Sequence, residues 1–140
     1  MRSMIVDAGP LLALFNPADR HHQACVSFLR GNEVSLVTTW PVLTEVMHLL
    51  RYSVDAQLRL LSWIDRGGLA IVELEQGCVG AIAALMDKYR DRPMDLADAS
   101  VVQLSTQSGC REVLSIDSDF DVYRLPDGAW LNNPLRDNTP

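Results

Sequence analysis

Short apolar runs alternate along this chain with longer stretches in which apolar residues recur every three or four positions. Ser3-Met4-Ile5-Val6 is short and bounded by Gly9 and Pro10, which predicts a buried strand ending at Asp7. Pro10 suits the first turn of a helix carrying Leu11, Leu12, Leu14 and Phe15, closed by Asn16-Pro17. Asp19 is placed to cap a second helix, Arg20 to Leu29, with Ala24, Cys25, Phe28 and Leu29 inward and the adjacent His21 and His22 solvated. Ser35-Leu36-Val37 predicts another strand, and Thr39 or Trp40 leads into a helix at Pro41 bearing Val42, Leu43, Val46, Leu49 and Leu50. An amphipathic helix from Val54 to Ile64 presents Leu58, Leu60, Leu61 and Ile64 and stops at Gly67-Gly68. Leu69 to Val72 forms the next strand. Val79, Ile82, Met86 and Tyr89 then mark a helix up to the Asp91-Arg92-Pro93 break. A helix opening at Asp95 runs to about Gln107, with Gly109 as its stop. Val113 to Ile116 is a further strand, and Ala129-Trp130-Leu131 a shorter last one. Strands alternating with helices predict the α/β class: a three-layer α/β/α sandwich around a mainly parallel sheet of about four to five strands.

Several carboxylates sit oddly against this pattern. Asp7 ends the first strand, at the pole where open α/β sheets place their ligands, although a plain turn aspartate fits as well. Glu45 falls about 40° from Leu49 and about 60° from Val42 on a helical wheel, at the edge of an apolar stripe. Asp95 and Asp98 point roughly 60° apart on one helix face, and Val101 and Val102 give Asp98 a face that seeks burial. A carboxylate there is costly unless a cation or donor meets it. The competing account is a helix start, with Asp95 as N-cap and Asp98 at the positive end of the helix dipole. Asp117-Ser118-Asp119-Phe120-Asp121 lies at the carboxyl end of the Val113 strand.

At 140 residues the chain suits one domain with a sizeable core, taken as residues 1–131, followed by a polar tail over 132–140 that is free to fray. The hydrophobic fraction of 48% with 21% charged residues fits a soluble globular protein. No apolar run approaches ~20 residues and no signal peptide opens the chain, so no membrane contact and a cytoplasmic setting are expected. Cys25, Cys78 and Cys110 show no paired spacing and read as free thiols. A net charge of −6 argues against a basic DNA-binding surface, but not against a nucleic-acid enzyme that holds its substrate through metal ions.

Asp7 and Asp117 end strands at the same pole, with Glu45 and the Asp95/Asp98 pair on neighbouring helices. Converging carboxylates without matching Lys or Arg repel one another, and divalent cations relieve that repulsion. All-oxygen ligation suits Mg²⁺ or Mn²⁺, and the chemistry it serves is phosphodiester hydrolysis: a metal lowers the pKa of a water nucleophile and stabilises charge on the leaving oxygen. Other acidic motifs fail on their own spacing. Asp117-x-Asp119-x-Asp121 opens like an EF-hand loop, but Val122 stands where Gly is needed and Gly128 where Glu is needed. A haloacid-dehalogenase phosphatase needs Asp two residues after Asp7, where Gly9 stands.

These residues resemble the PIN-domain ribonucleases, specifically the compact VapC-like branch found as toxins of toxin–antitoxin pairs. The resemblance rests on Ile5-Val6-Asp7-Ala8-Gly9-Pro10-Leu11, Leu43-Thr44-Glu45-Val46, Pro93-Met94-Asp95-Leu96-Ala97-Asp98-Ala99 and Ser115-Ile116-Asp117-Ser118-Asp119-Phe120, and it covers nearly the whole chain. It implies a catalytic, metal-binding set of Asp7, Glu45, Asp98 and Asp117. Asp95 and Asp119 stand close enough to add ligands, Asp117 and Asp119 are able to exchange roles, and Ser115 lies near the site. It further implies cleavage of RNA with Mg²⁺ or Mn²⁺, a homodimer, and an inhibitory antitoxin that inserts basic residues into the acidic groove. Two alternatives stand beside this: a binding module that uses the acidic groove without catalysis, and an RNA-processing nuclease that is not a toxin.

Overall fold

The computed structural model describes residues 2–137. The strands β1 (Arg2–Val6), β2 (Val34–Thr38), β3 (Ala70–Ile71) and β4 (Val113–Leu114) pair in parallel in the order β3-β2-β1-β4. Both faces of the sheet are covered, so Met4, Ile5, Val6 and Leu36 on the central strands and Val113 and Leu114 on the edge strand β4 are all buried. The covering helices are α1 (Ala8–Phe15), α2 (His22–Gly31), α3 (Trp40–Leu49), α4 (Val54–Asp65), α5 (Val79–Lys88) and α6 (Leu96–Ser108). The short turns α7 (Asp119–Val122) and α8 (Pro134–Asp137) complete the fold. This is the expected α/β sandwich with a parallel sheet.

α6 is the best-specified helix. Its N-cap Asp95 accepts the Asp98 N–H at 2.7 Å, and Gly109 closes it in the left-handed region at φ 76°. Ala99, Val101, Val102 and Leu104 are fully enclosed, so it runs through the core rather than along it. α1 begins at Ala8, earlier than Pro10, so Asp7 itself occupies the N-cap position. Gly9 allows a close approach there: a Cβ would lie 3.3 Å from Ile116 Cβ, so the first turn of α1 rests directly against the segment after β4.

Some expectations require correction. Ala129-Trp130-Leu131 is not a strand; only isolated bridges form, Arg124 with Trp130 and Glu112 with Asn132. Nor does chain order end at Leu131. Asn132 exchanges backbone bonds with Arg111 and Val113, and the Asn133 amide donates to the Ser115 carbonyl at 2.8 Å while its oxygen accepts the Ser115 N–H at 3.3 Å. Leu135 is buried beyond it. The polar side chain of Asn133 thus completes the pairing of an edge that backbone alone leaves open; residues 138–140 lie outside the described residues. His22 is half-buried, with Nδ1 2.7 Å from the Ala13 carbonyl, and is not simply solvated. α4 buries Ala56 and Leu60 but exposes Leu58 and Leu61, and α5 buries Leu85 while exposing Val79 and Met86. The three cysteines are free. Among the described residues no helix is long and apolar enough to cross a membrane.

Candidate active site

A hydroxyl network ties together the segments that carry the acidic residues. At the end of β2, Thr38 Oγ1 donates to the Val6 carbonyl at 2.7 Å, joining it to the end of β1 just before Asp7. The next residue, Thr39, caps α3 and lies 2.6 Å from Ser100 Oγ on α6. These buried bonds fix the register of Asp7, the α3 start that precedes Glu45, and the α6 turn that carries Asp98.

Asp7 is 4% exposed. Its Oδ2 accepts from Ser115 Oγ at 3.3 Å, whereas Oδ1 is buried without a hydrogen-bond partner. Burial pushes its pKa up to about 8; the Ala8 N–H opposes that, and the charges of Asp98, Asp117 and Glu45 add to it. Asp98 is raised to about 7, first by burial and then by Asp95, while a hydrogen bond from Tyr123 works the other way. Glu45 and Asp117 are also raised, again chiefly by burial. Carboxylates from β1, α3, α6 and the segment after β4 therefore feel one another across a single pole of the sheet.

Their commitments differ. Asp95 spends one oxygen capping α6, as the helix-start account expects, and remains exposed. Asp117 accepts the Asp119 N–H at 3.0 Å, bending the chain into α7. Asp119 is engaged by Arg92, whose Nε donates to it at 3.1 Å and whose Nη2 reaches Ser118. Tyr123, fully buried, donates its hydroxyl to Asp98 Oδ2 at 3.0 Å. Sequence reading missed Tyr123; its only signal was an aromatic three residues beyond Phe120 on the same short turn.

An orphaned buried carboxylate oxygen, an all-oxygen donor set and mutual repulsion suit a hard divalent cation. Among the described residues no group of three or more His, Cys, Asp or Glu is already drawn together around a metal position.

A parallel α/β sandwich with an acidic pole at the strand ends defines a class, and comparison with known proteins identifies it. The PIN domain matches residues 4–125, and the chain belongs to the PIN-domain family. It is 29% identical over 116 residues to Ribonuclease VapC26 of Mycobacterium tuberculosis, spanning 81% of this chain and 86% of that protein. Its backbone is similar to VapC20 of Mycobacterium tuberculosis, described as a sarcin-ricin loop cleaving toxin, with a TM-score of 0.75 at 16% identity over 83% of this chain and 91% of that one. It is also similar to a chain of VapBC2 from Rickettsia felis bound to a DNA fragment from their promoter, with a TM-score of 0.63 at 14% identity, covering 94% and 98% of the two chains. The resemblance read from the sequence motifs is borne out.

Proposed function

We propose that this protein is a Mg²⁺- or Mn²⁺-dependent endoribonuclease that hydrolyses RNA phosphodiester bonds, acting as the toxin of a toxin–antitoxin pair. One observation carries the reading: a buried carboxylate, Asp7, with an unpartnered oxygen, set among like charges at the pole of a PIN domain. The relatives named as ribonuclease and toxin support RNA as substrate.

Asp7, Glu45, Asp98 and Asp117 would hold the cation, with Asp95 and Asp119 as further ligands. When bound, a divalent cation supplies Lewis acidity, easing deprotonation of the attacking water and neutralising charge on the leaving oxygen. Ser115 steadies one oxygen of Asp7 and Tyr123 one oxygen of Asp98, leaving the second oxygen of each for ligation. Arg92 offsets Asp119 and keeps a positive charge at the rim. An antitoxin fits the same pole through Arg or Lys, since a guanidinium meets two carboxylate oxygens at once. The exposed Val54, Leu58 and Leu61 on α4 suit burial in a homodimer.

Incubation of the purified protein with RNA, with and without Mg²⁺ or Mn²⁺, tests the reading. Cleavage that survives exhaustive chelation overturns the metal requirement. A PIN-fold module that captures a basic segment without catalysis is the second reading, which the shared charges of Asp7, Asp98, Asp117 and Glu45 also suit. Metal-dependent turnover of RNA rules it out.

A further inference from the structure

Beside the acidic pole runs an open groove of about 570 Å³ between the length of α3, from Trp40 to His48, and the first turn of α6. Trp40, Pro41, Thr44 and His48 line one side with Glu45, and Leu96 stands across from them next to Asp95. Trp40 is 54% exposed and Leu96 53%. Two large apolar side chains held open to water at helix N-termini gain nothing for the fold. The other tryptophans are occupied: Trp63 packs on Phe15, and the Arg124 guanidinium stacks on Trp130. Among the described residues no ring or cation is stacked on Trp40.

The backbone under Trp40 is firmly held. Thr39 immediately before it is buried and bonded to Ser100, and the Trp40 carbonyl accepts from Thr44 Oγ1 at 2.9 Å. The indole is therefore a flat apolar platform on a rigid mount. Glu45 and Asp95 belong both to this groove and to the acidic pole, so an RNA phosphate at the carboxylates brings a neighbouring nucleotide to the groove.

We propose that this groove is a nucleobase subsite in which an unpaired base of the RNA, adjacent to the scissile phosphate, stacks on Trp40 opposite Leu96. It rests on the nuclease reading and deepens it. A base fits the groove's chemistry better than a phosphate does. Apolar faces cover the ring, while Thr44, His48 and the carboxylates offer hydrogen-bond partners to its edge and repel an anion. A paired base, stacked within its own helix, is withheld from such a platform, so the subsite selects single-stranded or looped RNA.

The test compares Trp40→Ala and Trp40→Phe with wild type on a short single-stranded RNA, intact or abasic at successive positions beside the cleaved bond. Loss of base stacking on Trp40 should raise KM by about ten- to a hundred-fold with kcat little changed, because stacking binds ground and transition states alike. Phe should restore most of the affinity. One abasic position should cost wild type as much as Trp40→Ala does, and cost Trp40→Ala nothing more. A KM within twofold of wild type in Trp40→Ala, or an abasic penalty that persists in it, overturns the subsite.

Trp40 emission, taken as wild type minus Trp40→Phe, gives a readout that needs no turnover. Quenching by the same RNA with Mg²⁺ present supports the subsite even if nothing is cut, in which case the nuclease reading alone fails. Quenching by an arginine-rich peptide but not by RNA assigns the groove to a protein partner and overturns the proposal, as does no quenching by either.

Discussion

Asp7→Asn tests the physical basis of the site without reference to any substrate. In the metal-free protein the buried Asp7 carboxyl has its pKa raised from 3.8 to about 8, first by burial and then by neighbouring charges. An acid whose pKa is higher folded than unfolded keeps its proton longer when folded. Its contribution is intact below about pH 4 and is lost as pH rises towards 8, so the wild-type apoprotein weakens across that window. At about 1.4 kcal/mol per pH unit the loss has an upper bound of about 6 kcal/mol, and water entry on ionisation lowers it to roughly 2–3 kcal/mol. An amide does not ionise, so Asp7→Asn should match wild type below about pH 4 and exceed it near pH 8. Urea unfolding in chelator at both pH values measures this, and titration of other residues cancels in the difference between the proteins. Added Mg²⁺ should reverse the order near pH 8 by stabilising only wild type. A difference that is flat with pH, or that favours wild type in chelator near pH 8, refutes the account of Asp7 as a carboxylate awaiting a cation.

Asp98→Asn should leave metal-free stability unchanged or raise it, abolish most stabilisation by Mg²⁺ and reduce RNA cleavage by orders of magnitude; Asp127→Asn, whose carboxylate accepts from Ala129 and pairs with Arg111 away from the site, is the control for the Mg²⁺ and cleavage effects, and melting curves and cleavage assays read both. Tyr123→Phe deletes the donor to Asp98 Oδ2 and should weaken metal affinity about 10–100-fold at nearly constant fold stability, measured by calorimetry. Gly68→Ala puts a Cβ 1.9 Å from Trp63 Nε1, so the indole must leave its contact with Phe15; a stability loss of about 1–3 kcal/mol with cleavage retained is expected by denaturant titration. Binding of a co-purifying antitoxin should weaken at high salt and in carboxylate variants, and equal binding throughout would discredit the electrostatic account.

The carboxylates were readable in the sequence because each interrupts a regular pattern. Asp7 stops an apolar run, Glu45 sits at the edge of a stripe, and Asp95 and Asp98 follow a proline. Periodicity also gave the sheet and most helices. It misled at α4 and α5, where apolar residues exceed what one buried face accommodates, leaving Leu58, Leu61, Val79 and Met86 outside. Polarity misled beyond Leu131, since hydropathy does not reveal a side-chain amide that pairs with backbone. Tyr123 was hidden for a related reason. Its partner Asp98 is 25 residues away in sequence, and no local spacing reports that contact.

Asn133 also ties the end of the chain to the site. Its side chain holds both backbone groups of Ser115, the residue whose hydroxyl touches Asp7. During synthesis every proposed metal ligand is made before Asn133 is. Until that amide arrives, the edge beside β4 is open and the Ser115 backbone lacks its partner. The support of Asp7 through Ser115 is therefore completed by a residue that lies beyond every proposed ligand and takes no part in the chemistry.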